Sequence, residues 1–179
     1  MNSKFSDFVN KLNKESQNKK DGFNPSARIE TFKQLVNSLY EEIDSWLQDG
    51  IQEGKILTGL VPITISEEML GAYSINEKWI QIGNAKIIFR PIGTILIGTN
   101  ARVDLIYRSK DIMIVRTGEN IKGPGNLITI RINGEPASKK IDEGKPVWKY
   151  VKSNQRLSYV LLNKKTFENL IMELINGTD

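Results

Sequence analysis

The chain has no cysteine and no histidine among its 179 residues. Without cysteine there is no disulfide framework, no thiolate nucleophile and no soft-metal site. Without histidine no imidazole can serve as base for a serine, and the commonest zinc ligand is gone. Long apolar runs are missing too. No segment approaches the roughly 18 apolar residues that a membrane span needs, and the start, from Met1 to Asp7, lacks a run of signal-peptide length. The expectation is a cytoplasmic protein with no membrane association.

Other catalytic and cofactor patterns are absent as well. There is no Gly-x-Ser-x-Gly elbow. Gly123-Pro124-Gly125 is followed by no Gly-Lys-Ser/Thr and no helix, so it is not a phosphate loop. Gly93 and Gly98 lie in no βαβ unit, which removes a dinucleotide site. Asp104 could open a nuclease-type magnesium site, but the next strand, Ile112-Met113-Ile114-Val115-Arg116, brings no second carboxylate. Glu67 and Glu68 read as helix-start residues and Glu77 as a turn residue, so no pair of carboxylates faces a substrate. The expectation is a non-enzyme with no cofactor and no metal.

What the chain does have is periodicity. Phe5, Phe8, Val9 and Leu12 fall at helical spacing, and the polar, lysine-rich stretch 13–22 follows. Residues 1–22 therefore read as a short amphipathic helix on a flexible linker, and 23–179 as one domain. Ile29, Phe32, Val36, Leu39, Ile43 and Trp46 form a second, longer helical stripe, with Asp49-Gly50 as its stop. Phe167, Leu170, Ile171 and Leu174 form a third, capped by Asn163.

Between the last two stripes the period changes from 3.6 to 2. The alternation predicts strands at 55–57, 61–65, 73–75, 79–82, 86–89, 94–97, 102–108, 112–116, 127–132, 147–151 and 156–162. Ser66 to Gly71 reads as one helical turn, with tight turns at Gly83-Asn84 and at Ser109-Lys110-Asp111. Each strand follows its predecessor too closely for a crossover helix, so the pairing is antiparallel. The fold class is α+β: an antiparallel β-rich barrel or sandwich covered by one long N-terminal helix and one C-terminal helix.

The net charge is +4, and the basic excess lies in the body from Tyr73 onward. Two constellations stand out. Arg102 and Asp104 share one face of a strand, continued by Arg108, with Arg90 before them and Arg116 across the ladder. Arg90, Arg102, Asp104, Arg108 and Arg116 could thus receive an anionic ligand or an acidic partner loop, or simply form a solvated face stitched by cross-strand pairs. The second is Lys139, Lys140, Lys145, Lys149, Lys152 and Arg156, interleaved with Trp148, Tyr150 and Tyr159, a pattern suited to single-stranded nucleic acid. Alternation opposes it, placing both Trp148 and Tyr150 on the face away from Lys149, which would leave a wet lysine side.

The leading expectation is a non-catalytic intracellular protein-interaction module, an adaptor or assembly factor. Phe5, Phe8 and Leu12 form a second contact helix, and self-association stays open. The alternative is a nucleic-acid-binding module using the basic body.

Overall fold

The computed structural model describes residues 23–94, 99–124, 142–153 and 157–177, and the backbone of 131–132 and 135–136. Asn24 opens helix α1 (Pro25–Trp46), its side chain accepting from the Ala27 amide at 3.0 Å. Pro25 stands at the helix start, where no intrahelical N–H is needed. A short helix α2 (Gln48–Gln52) follows. The expected stop at Asp49-Gly50 is corrected, since Gly50 lies inside α2. The chain turns instead at Gly54, whose φ of 68° is the left-handed geometry that glycine tolerates.

Seven strands then form one antiparallel sheet: β1 (Ile56–Glu67), β2 (Gly71–Ile82), β3 (Ala85–Gly93), β4 (Ala101–Tyr107), β5 (Lys110–Gly118), β8 (Pro146–Ser153) and β9 (Leu157–Leu161), in that spatial order. A two-stranded ribbon, β6 (Arg131–Ile132) with β7 (Glu135–Pro136), stands apart. Helix α3 (Lys164–Asn176) closes the chain from a capping box between Asn163 and Thr166. The α+β class and the antiparallel pairing match the expectation. The closed barrel does not: β1 and β9 are the two edges of an open sheet.

Alternation divides the sheet into two faces. The helix side takes Ile87 and Phe89 of β3, Val103 and Leu105 of β4, Ile114 of β5, and Trp148 and Tyr150 of β8. The buried stripes of α1 and α3 pack there, and Phe167 lies 5.4 Å from the Trp46 ring and 6.2 Å from Phe89. Two polar contacts fix α1 on the sheet. Buried Lys78 reaches Asp44 at 2.7 and 2.8 Å. The Tyr40 hydroxyl is shared between the carbonyl oxygens of Phe89, at 2.9 Å, and Asn76, at 3.1 Å.

The strand pairs expected at 55–57 with 61–65, and at 73–75 with 79–82, are each one 12-residue strand. The turn expected to be helical at 66–71 is the hairpin joining them. The buried positions of β2 change parity between Ile75 and Lys78, while its register with β1 stays unbroken. Both strands therefore twist together, and the sequence shows two short alternating runs where one twisted ribbon exists. At its tip Glu67 accepts from Tyr73, and from the amide and hydroxyl of Thr94, which also holds Arg28 of α1. Of the strand expected at 94–97, Thr94 is a bend and the rest lies outside the described residues, as does most of 127–132.

Burial holds the phenols of Tyr40 and Tyr73 above their ordinary pKa of about 10. Above that pH the unfolded chain loses these protons first, so stability is full below pH 10 and falls as pH rises beyond it. Absorbance at 295 nm should show tyrosinate forming only with alkaline unfolding for these two. Tyr40→Phe leaves two carbonyls without their donor and should cost about 1–3 kcal/mol in a urea melt.

Candidate functional site

The sheet face opposite the helices is the outer face. On it stand Trp79, Ile88, Arg90, Arg102, Asp104, Ile106, Met113, Val115, Lys149, Val151 and Tyr159. The Trp79 ring lies flat over Gly59 of β1, where a Cβ would meet it at 2.7 Å, and Lys86 sits 5.3 Å from the ring centre. No described helix covers this face.

The five residues of the arginine constellation do not converge. Arg102 and Asp104 pair as the strand spacing requires: the Asp104 carboxylate accepts from Nε at 2.6 Å and from Nη2 at 2.7 Å. Asp104 is only 6% exposed, and its hydrogen bonds hold the Arg102 pKa above its ordinary value, against the effect of burial. Arg90 stands opposite Asp104 in the ladder, yet turns to Glu77 at 2.5 Å. Arg108 sits in a turn with φ 54°, its guanidinium 5.1 Å from the Tyr107 ring centre. Arg116 is on the other side of the sheet. Its ladder partner is Ala101, and it lines a hollow beneath α1 with Leu35 and Glu42. A hub of guanidinium groups around one carboxylate is therefore corrected to two separate ion pairs, one stacked arginine and one arginine on the helix side.

The lysine constellation is also redistributed. Lys149 is 4% exposed. Its ammonium donates to three backbone carbonyls, Gly118 at 2.9 Å, Glu119 at 2.8 Å and Ile121 at 2.6 Å, which uses every N–H it has. The wet lysine side expected here is a buried one. Loop 119–124 crosses the outer face over Lys149 and ends against β9, where Lys122 accepts from the Tyr159 amide at 2.8 Å. Burial pushes the Lys149 pKa down, and the nearby Glu119 carboxylate opposes that shift. Lys145 is exposed and Lys152 half-buried, 3.9 Å from Glu173. Lys139, Lys140 and Arg156 lie outside the described residues, as do Phe5, Phe8 and Leu12.

Between the crossing loop and the Arg102 strand lies an open cleft of about 310 Å³. Met113 and Val115 of β5, Val151 of β8, and Leu157 and Tyr159 of β9 give it an apolar floor and wall, with Pro124 at the rim. Arg102 and Thr99 close one end. Thr99 is 9% exposed, and its hydroxyl has no hydrogen-bond partner among the described residues. That is an unusual state for a buried polar atom, and no local pattern in the sequence marks it. Burial raises the Tyr159 pKa, so its phenol stays neutral at ordinary pH. The cleft can thus take an apolar group at one end and a hydrogen-bonding group at the other. Asp104 cancels the charge of Arg102, which favours a neutral carbonyl over a free anion.

A second cleft of about 290 Å³ opens on the helix side, against Ile80, Ile87, Phe167 and Met172. Glu168 is the sole polar side chain among the residues lining it, and three of its walls are fully buried core residues. It is a packing gap at the margin of the core.

Among the described residues no three carboxylates gather where they could hold a metal ion, and no helix is long and apolar enough to cross a membrane. No family model, curated protein or solved structure matches the chain. The fold defines an open antiparallel α+β sheet with helices on one face.

Proposed function

We propose that this protein is a non-catalytic interaction module, an adaptor or assembly factor whose outer sheet face receives an apolar segment of a partner protein. The observation that carries the proposal is the cleft beside Arg102 and Thr99. It offers apolar walls, a neutralised ion pair and a buried hydroxyl with no partner among the described residues, the mixture that fixes a peptide side chain together with a neighbouring backbone carbonyl. The cytoplasmic setting expected from the sequence belongs to the same proposal. The nucleic-acid alternative is weakened by the burial of Lys149, whose ammonium is spent on carbonyls and can reach no phosphate.

The test pairs two single substitutions at exposed positions. Leu157→Lys places a charge on the cleft wall, and Met172→Lys places one on α3. A partner identified by cross-linking should bind the Leu157→Lys protein about tenfold or more weakly, a loss of about 1.4 kcal/mol. It should bind the Met172→Lys protein as it binds the wild type. The reverse pattern would move the docking surface to the helices. Salt-sensitive binding of an oligonucleotide, undisturbed by Leu157→Lys, would replace this reading with the nucleic-acid one.

A further inference from the structure

We propose that the hollow beneath α1 binds a small aliphatic amino acid as its zwitterion, with Arg116 receiving the carboxylate and Glu42 the ammonium. The site goes beyond the docking surface of the outer face. It lies on the helix side of the sheet and shares no lining residue with the outer cleft.

Register places the arginine. Arg116 of β5 pairs with Ala101 of β4 on one side and with Trp148 of β8 on the other, and the Leu162 amide donates to the Trp148 carbonyl at 2.9 Å. The row faces the core, and Ala101, Trp148 and Leu162 are all buried in it. Arg116 is half-buried there, a cation in an otherwise apolar row. Desolvation penalises such a charge unless a counter-charge meets it. Yet Arg116 has no hydrogen-bond, ion-pair or ring partner among the described residues. The other arginines with described side chains all have one: Arg28 at Thr94, Arg90 at Glu77, Arg102 at Asp104 and Arg108 at the Tyr107 ring.

The hollow holds a second unmatched charge. Helix α1 contributes Leu35, Ser38 and Glu42, at i, i+3 and i+7 on one helical face. Glu42 also lacks a partner among the described residues, so the two opposite charges line one hollow without joining. A ligand that carries both signs satisfies both. Inorganic phosphate would meet the repulsion of Glu42, a simple amine that of Arg116, and a simple carboxylate would leave Glu42 unmatched. Size narrows the class further. The hollow is about 220 Å³, the liquid share of roughly seven water molecules. Val147, Leu161 and Leu35 give it an apolar wall suited to a short hydrocarbon side chain. Leucine is the matching probe.

The full chain has three tryptophans, and their indole N–H signals read the binding. Trp148 lines the hollow, Trp46 packs on Phe167, and Trp79 lies on the outer face over Gly59. Leucine at millimolar concentration should move the Trp148 signal saturably and leave the other two in place. 4-Methylpentanoate, the same skeleton without the ammonium, should bind about tenfold more weakly, and so should 3-methylbutylamine, which lacks the carboxylate. Glu42→Gln changes an exposed position and leaves the fold intact; it should bring leucine down to the level of 4-methylpentanoate. Arg116→Gln should abolish the Trp148 shift while unmoved Trp46 and Trp79 signals report a folded protein. No saturable shift at Trp148 with leucine would overturn the proposal. So would equal binding of 4-methylpentanoate, which would make the hollow a site for any carboxylate, a chain terminus included. Leucine affinity unchanged by Glu42→Gln would overturn it as well.

Discussion

Replacing Lys149 by methionine lowers the unfolding free energy by about 3 kcal/mol, and the thermal midpoint by roughly 6–12 °C for a chain of this size. The methionine fills much of the same volume but leaves the carbonyls of Gly118, Glu119 and Ile121 facing an apolar side chain. Each of those groups is then left without its charged donor, and water reaches them only if loop 119–124 lifts. Hydrogen exchange separates this from a general loosening, because the Asn120, Ile121 and Tyr159 amides, bonded along the loop, lose protection before the β3 and β4 amides do. Unchanged exchange in the loop would show that the ammonium does not hold it. The pH dependence carries a sign of its own. Burial puts the folded pKa of Lys149 below the unfolded one, so the unfolded chain binds the extra proton between the two values. The wild type gains on the methionine variant as pH climbs through that window. Gly118 belongs to the same arrangement, for a methyl group there would overlap the Glu143 carbonyl oxygen where the two ends of the excursion meet.

Phe167→Ala should cost about 3–5 kcal/mol, the range for a large aromatic removed from a packed core. Its ring is fully buried between Trp46 of α1 and Phe89 of β3, so it joins both helices to the sheet at one point. The cavity would open toward the gap already present beside Ile80 and Ile87, which limits how far the neighbours can close it. Urea melts measure the loss. A cost under about 1 kcal/mol would mean that α3 repacks over the gap. The substitution leaves the outer face untouched, so the cleft beside Arg102 should keep its ligand affinity while the protein remains folded.

The helices were legible because their stripes are local. Every residue that sets the face of α3, from Phe167 to Leu174, lies within three turns, and its cap is written in Asn163. The same holds for β4, where Val103, Leu105 and Tyr107 enter the core and Arg102 and Asp104 do not. Register was harder to read, as Arg116 shows. A three-residue turn at Ser109-Lys110-Asp111 would set Arg116 opposite Asp104. The actual turn is Arg108-Ser109, with Tyr107 paired to Lys110, and it places Met113 opposite Asp104. An arginine with φ of 54° made that turn, where the sequence pattern calls for glycine or asparagine. The odd offset moved Arg116 to the helix side. Lys149 was invisible for a different reason. Alternation puts it on the outer face correctly, but its burial depends on a loop that leaves the sheet at Gly118 and crosses back over it. Closure of the sheet could not be read either, since it turns on whether the first and last strands meet, and no local pattern records that.

The two edges of the sheet are unequal. Loop 119–124 occupies the far side of β9, whereas β1, among the described residues, pairs only with β2 and carries no charged residue between Ile56 and Ser66. Leu57, Leu60 and Val61 lie exposed along it. An unguarded strand of that length is a template for growth by addition of like strands, and the ring of Pro62 is the principal break in it. Crowding and storage at high concentration therefore act on this protein first through β1, and fibril-like association would begin there while the cleft side of the molecule stays intact.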